Sequence, residues 1–237
     1  MNILKLLSHQ YFVFIEKLNK KFTQVPGGPV WRSGEFEWMR ELERHTDVIL
    51  QEYREYLAQG RIVPEIHEID PDAYKSVGNN DWEMLHLYLM GSPIEEVCKQ
   101  FPKTLQVLSH IPGFCHVKFS ILPAERHSVP RHRDAFNGVL RTHLALKVPS
   151  EGNCYLEVDG ESVEWQRGKC FVFDPGSQHS VVKEAKQERV ILIVDFHRPL
   201  PNWLSNLSKN LYTNLSVLSK PVLLKCNEVA RNRSNRA

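Results

Sequence analysis

From Phe114 onward the chain breaks into seven short segments in which apolar and polar residues alternate: FCHVKFSIL, VLRTHLALKV, CYLEVDG, ESVEW, KCFVFD, HSVV and ERVILIVDF. Gly, Pro and Asp separate them. Period two sends neighbouring side chains to opposite faces of a strand. Short strands at this spacing predict a sandwich or barrel, and a jelly roll suits the length. The fold class is therefore mainly β with flanking helices. Residues 1–22 carry Leu4, Leu7, Tyr11, Phe14 or Ile15, and Leu18 at helical spacing. A second helix is expected over Glu35–Gln59, with Trp38, Leu42, Ile49, Tyr53 and Tyr56 as its apolar stripe and Gly60 as its stop. After Pro199 another stripe runs through Trp203, Leu207, Leu211, Leu215, Leu218 and Val222, and the final NEVARNRSNRA reads as a disordered basic tail. Three parts are expected: a helical extension over 1–80 packed on the core, a β domain over 81–200, and an amphipathic helix with its tail over 201–237.

Composition narrows the function. Lys and Arg number 30 against 28 Asp and Glu, so the net charge is +2 and there is no case for nucleic acid. Five cysteines without a CxxC spacing argue against a disulfide framework or zinc ribbon and fit a reducing compartment. No segment approaches the ~20 apolar residues of a membrane span, and the N-terminal segment lacks the cleavage site of a signal peptide. A cytoplasmic protein is expected. The N-terminal helix is read as docked on the domain; the alternative is a helix lying on a membrane surface.

The strands carry chemistry on one face. Arg141, His143 and Ala145 share a face opposite Leu140, Leu144 and Leu146. His116, Lys118 and Ser120 share another, opposite Val117, Phe119 and Ile121. Such polar faces either meet solvent or line a pocket inside a barrel. His132-Arg133-Asp134 forms an HxD motif, His179 follows 47 residues later, and Arg189 stands ten residues beyond that. Two imidazoles and a carboxylate can cap one face of an octahedral iron and leave three positions open. A guanidinium such as Arg189 suits the distal carboxylate of 2-oxoglutarate through two charge-assisted hydrogen bonds. His127 is read as a structural histidine, and a metal-free sandwich or another metal site stays open.

The runs HRDAFNGVLRTHLAL, VEWQRGKCFVFDPGSQHSVV and ERVILIVDFHRP resemble the aspartyl/asparaginyl β-hydroxylase family, which includes the bacterial lipid A hydroxylases. The resemblance spans roughly Asp81 to Pro199. It implies an Fe(II)- and 2-oxoglutarate-dependent dioxygenase, using O2, on a cupin-like double-stranded β-helix. His132 and His179 fall on the iron histidines and Arg189 on the arginine that pairs with 2-oxoglutarate. Ser120, Arg141 and His143 fall on the cosubstrate pocket, as do Lys118 and Tyr88. Animal peptidyl hydroxylases carry glycine two residues after the first iron histidine; here Asp134 supplies a carboxylate, so a full facial triad is expected. The resemblance is specific for the family and not for the substrate: an Asp or Asn side chain in a peptide is the first expectation, with a lipid acyl chain or a small metabolite as alternatives. A non-catalytic ligand-binding protein is the rival from another class.

Overall fold

The computed structural model describes residues 3–25, 27–70, 82–124, 128–134 and 136–234. Two antiparallel sheets face each other. The larger contains β1 (Val30–Trp31), β9 (Cys170–Phe173), β6 (Val139–Lys147), β11 (Arg189–His197), β4 (Phe114–Leu122), β2 (Glu83–Leu89) and β3 (Ser92–Pro93), in that order. The smaller runs β5 (Ser128–His132), β10 (His179–Lys183), β7 (Cys154–Val158) and β8 (Glu161–Glu164). This is the expected jelly roll. The β7–β8 turn is Asp159-Gly160, both at positive φ (47° and 89°). A two-residue hairpin loop needs that geometry, because its twist then matches that of the strands.

Alternation sorts the larger sheet into two chemically distinct faces. Val117, Phe119, Leu144, Leu192 and Val194 are wholly buried on the outer face. Against it pack α2 (Met39–Arg44), α3 (Thr46–Ala58), the one-turn helix α5 (Glu95–Cys98) and α6 (Pro102–Leu108), while the one-turn helix α4 (Ile66–Ile69) turns Ile66 and Ile69 toward the inner side. Tyr53 stacks on Phe119 at 5.0 Å, and Phe101 meets the same ring at 5.0 Å. The inner face is polar: register sets Arg141 and His116 opposite Asp195, His143 and Lys118 opposite Ile193, and Ala145 and Ser120 opposite Ile191.

The helical cover departs from the sequence reading in three places. The helix expected over Glu35–Gln59 is two, because the backbone at His45 leaves the helical region. The stripe after Pro199 divides into α7 (Asn202–Ser216), a 3-10 turn (Val217–Ser219) and α8 (Lys220–Ser234). Within α7 the buried positions are Leu204, Ser208, Leu211 and Tyr212, so Trp203 and Leu207 face outward. The basic end expected to be disordered is helical as far as Ser234, because Cys226 and Ala230 one turn apart anchor it in the core. The helix α1 (Ile3–Lys21) docks through Ile15 and Asn19. His127 lies outside the described residues.

Buried Glu52 on α3 ties two helices together. Its carboxylate accepts from the Lys103 N–H (2.9 Å), the Thr104 N–H (2.8 Å) and the Thr104 hydroxyl (2.7 Å), capping α6, whose own N-cap residue Phe101 offers no side-chain acceptor. Glu52→Ala leaves these donors buried and unpaired. Urea unfolding should show a loss of about 3 kcal/mol, with Glu52→Gln losing less. A loss below about 1 kcal/mol would contradict the role.

Candidate metal centre

The strand pair β5–β10 sets His132 directly opposite His179. Their ring centroids are 4.2 Å apart. Asp134 follows β5 by two residues, its backbone N–H held by the Pro175 carbonyl at 2.8 Å. One ligand atom from each of His132, Asp134 and His179 lies within 4.8 Å of the others. Both imidazoles are oriented through Nδ1, which meets the carbonyl of Pro130 (2.7 Å) for His132 and of Ser177 (2.9 Å) for His179. A carbonyl only accepts, so Nδ1 carries the proton and Nε2 keeps its lone pair. Burial and the neighbouring His132 push His179 down to about 4, against the pull of Asp134, so it is neutral at ordinary pH. Neutral imidazole is the form that ligates metal.

Arg141 fixes the third member. Its guanidinium donates to both oxygens of Asp195 (2.7 and 2.8 Å) and meets Asp134 Oδ2 at 2.8 Å. Burial disfavours the charge, but the two carboxylates outweigh it and hold Arg141 fully protonated. Asp134 is thus oriented on the sheet through a residue of β6.

Deeper in the same interior sits Arg189, 2% exposed. Its guanidinium donates to Ser120 Oγ (3.0 Å) and lies 4.8 Å over the Trp165 ring. Burial lowers it to about 10, so it stays a cation. No carboxylate among the described residues comes within ion-pair reach of it, and its Nε has no acceptor. Lys183, equally buried, shows how this fold satisfies a cation: Nζ donates to the carbonyls of Pro123, Ala124 and Ala185. Arg189 has no such cage. Ser120 Oγ already accepts from Arg189 and from Trp82 Nε1–H (2.9 Å), so its own proton is left to donate elsewhere. His143, stacked on Trp165 at 5.9 Å, is buried with neither ring nitrogen hydrogen-bonded. Burial, then the Arg189 charge, drives it well below the usual imidazole range. Buried polar groups ordinarily find partners. Arg189, the Ser120 hydroxyl and His143 thus keep hydrogen-bonding capacity that a small bound carboxylate could take up.

A cavity of about 610 Å3 opens over the metal ligands. Its polar wall holds His86, His116, Lys118, Arg141 and Asp195; its apolar wall includes Ile66, Ile69, Met90, Phe136, Leu215 and Val222. Burial and the charge of Arg141 bring Lys118 down to about 8. The structure sets His132, Asp134, Arg141 and Lys118 on this cavity with His179 beside His132, while Arg189, Ser120 and His143 are buried in the interior and do not line it. Tyr88 does not join them. A bulge between His86 and Tyr88 turns it away, and it packs edge-on to Phe114 at 5.1 Å. Trp82 and Trp165 were missed. Trp82 shares the alternation of Met84 and His86, which could have found it; Trp165 sits just past β8 and carries no comparable signal.

The arrangement defines a jelly-roll protein with a two-histidine, one-carboxylate site. The profile of the aspartyl/asparaginyl beta-hydroxylase family matches residues 43–199. The chain belongs to that family. It is 32% identical over 201 residues to the ornithine lipid ester-linked acyl 2-hydroxylase of Rhizobium tropici, covering 81% of this chain and 71% of that one. It is 31% identical over 181 residues to the human aspartyl/asparaginyl beta-hydroxylase, covering 72% of this chain but only 23% of that longer protein. Among solved structures, a Pseudomonas putida prolyl-4-hydroxylase aligns at 17% identity over 78% of this chain and 98% of that one, with a TM-score of 0.47.

Besides His179, burial keeps His86, His116, His143 and His197 uncharged, the last down to about 4. Unfolding restores their ordinary pKa of about 6.5. The unfolded chain then binds protons that the folded one does not. Each group should cost ~1.4 kcal/mol per pH unit as pH falls below 6.5 toward about 4. Urea midpoints of metal-free protein should fall steeply between pH 6.5 and 5. A flat profile there would show that these histidines are not held neutral.

Proposed function

We propose that the protein is an Fe(II)- and 2-oxoglutarate-dependent dioxygenase that hydroxylates an unactivated C–H bond. The observation that carries this is the pairing of the His132–Asp134–His179 cluster with a buried, carboxylate-free Arg189 in one interior. Iron would be held by Nε2 of His132 and His179 and by the Asp134 carboxylate. The far carboxylate of 2-oxoglutarate would take Arg189 and the Ser120 hydroxyl as donors. Bound there, the two would supply the oxidising power to place one atom of O2 in a C–H bond, with succinate and carbon dioxide as coproducts. The chain's own part is orientation and exclusion. Arg141 holds Asp134 in place, and Trp165, Phe171 and Phe173 crowd around His143 and keep water from it.

The cavity walls favour an acyl chain as substrate. Ile66, Ile69, Met84, Leu89, Met90, Phe136, Val139, Leu215 and Val222 form an apolar wall opposite the polar one, along which an acyl chain could lie. By its name the rhizobial relative hydroxylates a lipid-linked acyl chain. One observation supports the second reading, an Asp or Asn side chain: Lys118 and Arg141 face the cavity and could hold a carboxylate.

Two measurements test the reading. In calorimetry on Mn(II)-loaded protein, Arg189→Lys should weaken 2-oxoglutarate at least ~10-fold, because the ammonium cannot reproduce the two-pronged contact. Unchanged affinity would remove Arg189 from the site. Arg141→Gln should weaken metal ~10- to 100-fold, as loss of a ligand-orienting partner does. With Fe(II), 2-oxoglutarate and air, an acyl-lipid mixture and an Asp/Asn peptide should be compared for gain of one oxygen atom by mass spectrometry. Oxygen gain on the lipid alone supports the acyl reading; gain on the peptide alone overturns it.

A further inference from the structure

Helices α1 and α7 lie side by side. Asn19 Nδ2 donates to Ser208 Oγ (3.2 Å), and Phe22 meets Trp203 edge-on at 5.6 Å. Their inner sides are ordinary core. Their outer sides are not: Phe14 is 57% exposed, Trp203 53%, Tyr11 45%, Leu207 37% and Phe22 36%. Tyr11, Phe14, Leu18 and Phe22 follow helical spacing and form one stripe of α1, with Lys17 and Lys21 running beside it. Trp203 and Leu207 stand one turn apart on α7, next to exposed Lys209. Aromatic residues on such a ridge give up free energy to water that a partner would recover.

Charge says what kind of partner. The helices α1 and α7 hold five Lys against one Glu, a surplus of four in a chain whose net charge is +2. The rest of the molecule is therefore net acidic. A second copy docking on this face would set lysines against lysines. An anionic lipid surface would meet both features, since Trp, Tyr and Phe settle at the headgroup boundary and nearby Lys is drawn to anionic headgroups.

We propose that the outer face of α1 and α7 docks the protein on an anionic bilayer. The same pair borders the cavity. Phe12 packs on Phe136 (6.1 Å), Asn137 Nδ2 donates to the Glu16 carbonyl (3.0 Å), and Phe136, Tyr212 and Leu215 line the opening. Docking would set that opening beside the lipid. The inference rests on the helix surface and not on the oxygenase reading, so either can fail alone.

The test is cosedimentation of the full chain with vesicles of phosphatidylcholine alone and of phosphatidylcholine mixed with phosphatidylglycerol, without metal or cosubstrate. Wild type should bind the mixed vesicles, release in high salt, and bind neutral vesicles at least ~10-fold more weakly. Phe14→Ser/Trp203→Ser and, separately, Lys17→Glu/Lys21→Glu should each lower binding at least ~10-fold. Both pairs are exposed, so the melting temperature should hold; the lysine pair decides the matter if the aromatic pair unfolds. Equal binding to both vesicle types, no binding by wild type, or a dimer that Phe14→Ser/Trp203→Ser dissociates would each overturn the proposal.

Discussion

The guanidinium of Arg141 is the joint on which the site depends. It lies on the inner face of the central sheet, clamped by both oxygens of Asp195, and reaches across to Asp134. Asp195 lies on β11 and Asp134 just after β5, so one side chain links the two sheets. A buried cation between two carboxylates is costly to break, because removing it leaves two charges unpaired. The position of the Asp134 carboxylate is therefore set by the fold. Asp195 extends the connection toward His116 (3.8 Å), which shares a hydrogen bond of 3.0 Å with His86.

The contrast among buried cations gives the interior its direction. Lys183 is satisfied by carbonyls, and Arg198 by Asp174 and the Asn137 carbonyl. Among the described residues, Arg189 Nε and both ring nitrogens of His143 lack a hydrogen-bond partner, as does Trp165 Nε1 beside them. A bound carboxylate would complete this pattern, since buried polar groups ordinarily find partners.

Much of this was legible in the sequence because alternation is local. The face shared by His116, Lys118 and Ser120, and that shared by Arg141, His143 and Ala145, follow from period two alone, and the register then turned both inward. The HxD spacing likewise placed two ligands at one strand end. What alternation does not carry is a break in register: Tyr88 lies beyond a bulge, so its predicted face was lost. Helix ends failed for a similar reason. Nothing local in ELERHTDV marks the bend at His45, and the helical spacing of Trp203 and Leu207 suggested burial where the neighbouring α1 leaves them exposed. Long-range pairs such as Arg141–Asp195 had no sequence signature beyond their charges.

The central claim is that the His132–Asp134–His179 cluster and Arg189 form one site for a metal-chelated keto acid. It is tested most directly by adding Fe(II) and 2-oxoglutarate to the purified protein without oxygen and recording the visible spectrum. The account predicts a charge-transfer band in the wild type that His179→Ala abolishes and Arg189→Ala moves to higher 2-oxoglutarate concentration. Folded, iron-loaded protein with no band would contradict it, and would mean that this interior holds its anion for some purpose other than oxidation.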